Sequence, residues 1–170
     1  MRSHELFKRM SPATAAEVFT YLHKEQKPVY KAAIQGLANQ RNLRGVFIER
    51  KPPQERHPWM QQALSRPISD ALASHLLQGW LLGANKQMLN DFLDALEIAH
   101  EEDGTVEELP ASPPKGKIAA AITGLLAKYP PEKVAIYLHA FRDMDSTVQW
   151  APLNELLQET PELQFTSASS

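Results

Sequence analysis

The chain has no cysteine among its 170 residues, which removes disulfides, thiolate nucleophiles and Cys-ligated metal centres from consideration. Long apolar runs are missing too. No stretch approaches the roughly 18 uninterrupted apolar residues of a membrane span, and the opening MRSHELFKRM lacks the apolar core of a signal peptide. Together these absences give the expectation of a soluble, cytoplasmic protein with no membrane partner. Signatures of the common enzyme classes are also lacking: there is no G-x-S-x-G, no P-loop, no dinucleotide fingerprint and no H-E-x-x-H. The reading is therefore weighted against an enzyme, and it assigns no catalytic residue, metal ligand or cofactor.

What the chain does have is proline, 13 in all. Pro12, Pro28, Pro58, Pro67, Pro113, Pro131 and Pro152 each precede an apolar pattern of helical period. Proline suits the first helical position because its missing N–H would have had no partner there. From Pro12 the residues Ala15, Val18, Phe19 and Leu22 recur at i, i+3, i+4, i+7, behind Ser11 as a natural N-cap. Tyr30, Ala33, Ile34 and Leu37 repeat that spacing after Pro28, and Val134, Tyr137, Leu138 and Phe141 after Pro131. The helix opened by Pro67 is the most apolar and should be central, with Asp70, Ser74 and Gln78 as a narrow wet stripe and His75 on its apolar wall. Asn85 should start a helix with Leu89, Phe92, Leu93 and Leu96 inward, running on until Asp103-Gly104 turns the chain.

About eight helices are expected, in an all-α irregular bundle or a short α-solenoid of helical hairpins. Sliding the chain by 45 residues aligns Gly79 with Gly124, Leu81 with Leu126 and Leu93 with Leu138, a likeness of pattern to stacked helical hairpins. One short extended segment is expected near 45–49, where Val46, Phe47 and Ile48 favour a strand that Pro52 and Pro53 end. Residues 1–163 are read as one helical domain and 164–170 as a disordered tail of small polar residues.

Charge is unevenly spread over that domain. Residues 1–66 carry 12 Lys+Arg against 5 Asp+Glu, and the acidic half, residues 67–163, carries 6 against 15. Such asymmetry provides a basic surface for an anionic partner, or internal complementarity between the halves. The basic residues Arg41, Arg44, Arg50, Lys51 and Arg56 interleave with Phe47 and Trp59, a composition suited to phosphate and bases, although Glu49 and Glu55 interrupt it. Trp59 and Trp150 are the candidate partner anchors, since tryptophan is enriched at interface hot spots.

Two metal readings fail on spacing. Glu97-Ile-Ala-His100 has the Glu-x-x-His spacing of di-iron bundles, which need two copies where this chain has one. Placing Gly104 at the sixth position of an EF-hand loop puts Ala99 first and Pro110 last, where carboxylates are required. The functional expectation is a non-enzymatic α-helical module that binds a protein partner or its own copy. Nucleic-acid binding through residues 41–56 comes second, and a small-ligand or enzyme site between helices near His75 or His139 third.

Overall fold

The structure, a computed structural model, describes residues 1–107, 110–144 and 150–165. Among the described residues there are ten α-helices and no strand. None of these helices is long and apolar enough to cross a membrane. The chain divides into two compact units, Met1–Trp80 and Leu81–Ser170.

Unit 1 contains α1 (Ser3–Arg9), α2 (Pro12–Glu25), α3 (Lys27–Gln40), α4 (Gly45–Glu49), α5 (Pro53–Leu64), a 3-10 turn (Pro67–Ser69) and most of α6 (Asp70–Ala84). Helix α2 starts as its sequence prescribes: Pro12 is its first residue and Ser11 Oγ accepts the Thr14 N–H at 3.2 Å. Its row Ala15, Val18, Phe19 and Leu22 is buried, as is Tyr30, Ala33, Ile34 and Leu37 of α3. Helix α2 packs on α3 and α5, and α1 packs on α5.

Unit 2 contains α7 (Lys86–Ala95), α8 (Lys115–Lys128), α9 (Pro131–Met144), α10 (Ala151–Glu159) and a 3-10 turn (Pro161–Leu163). Its core is aromatic. Phe92 meets Tyr137 and Phe141 edge-on at 5.6 and 5.5 Å between ring centroids, and Trp150 lies 5.2 Å from Phe141. Such geometry sets the positive edge of one ring against the negative face of the next.

Several local expectations need correction. Residues 45–49 are helical, not extended. The Arg56 guanidinium donates to the carbonyls of Glu49 and Lys51, both at 3.0 Å, and so satisfies the end of a helix too short to satisfy itself. Pro58 does not start a helix but lies inside α5, which begins at Pro53. Seven-residue α1, with Leu6 and Phe7 buried, is too short to show a repeat in the sequence.

Helix α7 stops at Ala95, well before Asp103-Gly104, because Glu97 adopts a φ of 58°. The Ile98 N–H then reaches back to the Leu93 carbonyl at 2.9 Å and the Glu97 N–H to that of Asp94 at 3.0 Å, a Schellman motif with glutamate in the left-handed position. Glu101, Glu102 and Asp103 therefore lie past the helix end, in a turn.

His75 is exposed rather than set in an apolar wall. The buried row of α6 within unit 1 is Ala73, Leu76, Leu77 and Trp80, and at about 100° per residue position 75 falls on the opposite side of the cylinder. The glycines matched by the 45-residue shift have different surroundings. A Cβ on Gly79 would come 2.9 Å from Gln26 Oε1, whereas one on Gly124 would meet nothing within 4 Å. Of the expected tail, Gln164 and Phe165 are described, with the Phe165 ring 6.2 Å from that of His139, and 166–170 lie outside the described residues.

Candidate functional site

Helix α3 ends on a second Schellman motif. Asn42 takes a φ of 57°, which asparagine tolerates better than most residues, while the Leu43 N–H bonds the Ala38 carbonyl at 2.9 Å and the Asn42 N–H that of Asn39 at 3.2 Å. This reversal throws the chain outward into α4. Only Gly45 and Ile48 of α4 are buried. Gly45 allows α4 to lie against α3 with Gln35 in place, since a Cβ there would come 2.6 Å from Gln35 Oε1.

The rest of α4 and its approach face solvent. Leu43 and Val46 are each 41% exposed, Phe47 58% and Ile68 71%, and these are the exposed large apolar side chains among the described residues. Ile68 belongs to the same end of α3, because the neighbouring Ser69 Oγ donates to Gln40 Oε1 at 2.9 Å. All four thus fall within residues 43–68 of unit 1.

The predicted basic residues divide into two groups here. Arg44 and Arg50 are exposed, beside the apolar side chains, and Lys51 is half-buried. Arg41 is half-buried, with its guanidinium 5.6 Å from the centre of the Trp59 ring and one buried nitrogen lacking an acceptor. Trp59 is half-buried beneath it. Arg56 is buried, 5.6 Å from the Tyr30 ring centre, and holds the end of α4 instead of facing outward. Arg66, which the basic cluster in the sequence did not include, is exposed next to the 3-10 turn that carries Ile68. Trp150, the other anchor candidate, is buried in unit 2 and its Nε1–H donates to the Pro110 carbonyl at 3.1 Å.

The histidines have structural surroundings. Burial, then the charge of Arg56 and the proximity of His23, hold His57 down at about 4, so its ring is neutral at physiological pH beside Phe19 and Tyr30. His139 is buried, with Nε2–H donating to the Leu163 carbonyl at 3.1 Å, which fastens the last 3-10 turn to α9. His4 Nδ1 and backbone N–H both donate to Asp70 Oδ1, at 2.7 and 3.1 Å, while Arg2 reaches Oδ2 at 2.9 Å. Burial tends to raise the Asp70 carboxyl, but the two His4 bonds and Arg2 outweigh it and hold it below the usual carboxylate range. This pair has the His–carboxylate half of a hydrolytic triad, yet no hydroxyl bonds the other His4 nitrogen among the described residues, and the double contact clamps α1 to the start of α6.

Glu97 and His100 do not share a helix or a ligand. Glu97 pairs with Lys117 at 2.6 Å and His100 with Asp94 at 2.7 Å. Among the described residues no group of three or more His, Asp or Glu is arranged to hold a metal ion.

A groove of about 350 Å³ in unit 2 is lined by α7 and α8, with Ala120, Ala121 and Gly124 beneath it. Its charged residues neutralise one another: Lys128 meets Asp91 at 2.8 Å, Tyr129 Oη–H donates to the same carboxylate, and Lys117 pairs with Glu97. Burial tends to raise the Asp91 carboxyl, and the bonds from Lys128, Tyr129 and Gln87 hold it below its ordinary value nonetheless. Small side chains between satisfied ion pairs offer no nucleophile and no unpaired charge.

No protein family, curated protein or solved structure matches the chain. The candidate site therefore rests on the geometry of unit 1 itself. It is an apolar edge on α4, held in place by α3 and by Arg56, with exposed arginines beside it.

Proposed function

We propose that the chain is a non-enzymatic α-helical interaction module whose contact surface is the Leu43–Arg50 edge of unit 1. One observation carries this reading: three of the four exposed large apolar side chains, Leu43, Val46 and Phe47, lie on a segment whose backbone is fixed by a Schellman motif and a buried arginine. Apolar surface left in water next to exposed cations suits a protein contact, where the apolar centre supplies affinity and the charged rim selects the partner.

The test is a photo-reactive phenylalanine analogue placed at position 47, with a control at the exposed Thr20 on α2, in the cells that make the protein. A discrete protein adduct from position 47 and none from position 20 is the expected result. No adduct from either position, or equal adducts from both, overturns the reading.

Nucleic-acid binding is the second reading, and what favours it is Phe47 exposed between exposed Arg44 and Arg50, a combination that can stack on a base and hold phosphate. It predicts that the position-47 adduct disappears on nuclease treatment and that an oligonucleotide shifts at low salt. A ligand or enzyme site at His75 or His139 has no comparable support, since one ring is exposed and the other is bonded to Leu163.

A further inference from the structure

We infer that the occupant of the α4 edge is an acidic amphipathic protein segment, one that presents carboxylates to Arg44 and Arg50 and an apolar side chain to Val46 and Phe47. The inference rests on the interaction-module reading and adds the chemistry of the partner.

Charge selects it first. Arg44 and Arg50 are exposed and enter no ion pair among the described residues, and Arg66 extends the positive field on the Ile68 side. Glu49 and Glu55 are the acidic side chains of this stretch, fewer than the cations beside them. A guanidinium offers a carboxylate two parallel N–H donors, so carboxylates on a partner meet it with fixed geometry.

Shape and composition separate a peptide from the other anionic partners. A nucleic acid needs flat faces on which bases stack, but three of the four exposed apolar side chains, Leu43, Val46 and Ile68, are aliphatic. Two of the arginines that would follow a phosphate backbone are already engaged, Arg41 over Trp59 and Arg56 on the α4 carbonyls. A lipid surface is bound by a helix long enough to lay a continuous apolar face into the headgroup region, and α4 has five residues. Val46 and Phe47 on α4 and Leu43 on the segment leading into it present exposed aliphatic and aromatic surface, which suits the apolar side chain of an amphipathic peptide. The segment is also preorganised: its two ends are tied by the Asn42 reversal and by Arg56, so binding need not order it.

The experiment uses the full chain and four labelled probes. These are an amphipathic peptide with leucines at i and i+4 and glutamates between them, its lysine-for-glutamate counterpart, a single-stranded oligonucleotide, and vesicles of phosphatidylcholine with phosphatidylserine. Binding of the glutamate peptide alone is expected, weakened by salt and reduced about tenfold or more by Phe47→Ser and by Arg44→Glu, each the loss of one hot-spot side chain. Both substitutions are at exposed positions, and circular dichroism confirms that the variants fold. Failure of the glutamate peptide to bind, equal binding of the lysine peptide, or binding unchanged in both variants overturns the inference. Binding of the oligonucleotide or the vesicles in its place does the same and names the occupant. If position 47 cross-links to a protein in cells while the glutamate peptide fails, the module stands and the acidic-partner inference falls.

Discussion

In Met1–Trp80, beside the Arg2–His4–Asp70 cluster, several bonds that join separate helices run from polar side chains to main-chain oxygens. Gln61 Nε2 donates to the carbonyls of Phe7 and Met10 at 2.9 and 3.0 Å, Arg56 to those of Glu49 and Lys51, and Gln26 to that of Gly79 at 3.2 Å. In Leu81–Ser170 ion pairs at the surface are added to the buried bonds of His139 and Trp150. Lys115 meets Glu155 and Glu159 at 3.0 and 3.1 Å, Lys117 meets Glu97 and Lys128 meets Asp91. Shielded bonds to main-chain oxygen are little affected by salt and costly to leave half-made, whereas exposed pairs are screened and individually weak. Two histidines differ in the same sense. Burial pushes His57 of unit 1 down, while the Glu101 carbonyl and the Asp94 carboxylate raise His100 of unit 2. Basic unit 1 thus ties Arg2 to Asp70 and buries Arg56, which leaves Arg44 and Arg50 exposed outside any ion pair among the described residues, while unit 2 pairs Lys115, Lys117 and Lys128 with its own carboxylates.

That contrast can be broken from either side. The largest effect belongs to the aromatic core of unit 2: Phe92→Ala should cost about 3 to 5 kcal/mol, because a fully buried ring with two edge-on partners leaves a cavity that helices cannot close. Denaturant unfolding followed by near-UV circular dichroism checks it. Next comes Arg56→Met, expected to cost about 2 to 3 kcal/mol as two carbonyls lose a charged donor. The accompanying sign is loss of helical carbon chemical shifts over residues 45–49 with α2 and α3 unaffected.

The pH responses should have opposite slopes. His57 titrates at about 4 when folded and near 6.5 when unfolded, so the unfolded chain takes up the proton first as the solution is acidified. Unit 1 should therefore lose stability as pH falls from 6.5 toward 4, and His57→Phe should flatten that window. His100 is raised when folded, so its smaller contribution is present below 6.5 and fades as pH climbs through the folded value. Two-dimensional NMR of the imidazole protons resolves both titrations. The smallest effect is that of Lys115→Ala, a slight loss of stability that vanishes at high salt, since the lysine and its two partners, Glu155 and Glu159, are all exposed; thermal unfolding at low and high salt checks it.

Much of the framework could be read from the sequence because it depends on local chemistry. Pro12 and Pro131 are first residues of helices, Pro28 and Pro152 second, and the rows from Ala15 to Leu22 and from Leu89 to Leu93 are buried where their spacing placed them. What escaped the sequence depends on residues far apart in it. Packing of α4 on α3 and the bonds from Arg56 of α5 accompany a helix at Val46, Phe47 and Ile48 against their strand preference. The His4–Asp70 clamp spans 66 positions and has no motif. The same holds for the candidate surface. The sequence put cations at 41–56 with Phe47 among them, but it read Val46 as strand and counted Arg41 and Arg56 as free, because stacking on Trp59 and capping of α4 leave no periodic trace. The end of α7 at Glu97 was hidden for a different reason: a non-glycine residue fills the left-handed position where glycine is the usual signal.

Phe47 distinguishes a side chain kept for a partner from one kept for the fold, and a single paired measurement on Phe47→Ser decides which it is. Thermal unfolding and anisotropy of the labelled glutamate peptide are recorded on the same preparation. The account predicts a melting temperature within about a degree or two of the parent, as for other exposed substitutions of roughly 0.5 kcal/mol or less, together with a dissociation constant raised about tenfold or more. A fall of many degrees with peptide binding unchanged would contradict it, because the ring would then belong to the core of unit 1 and not to its contact surface.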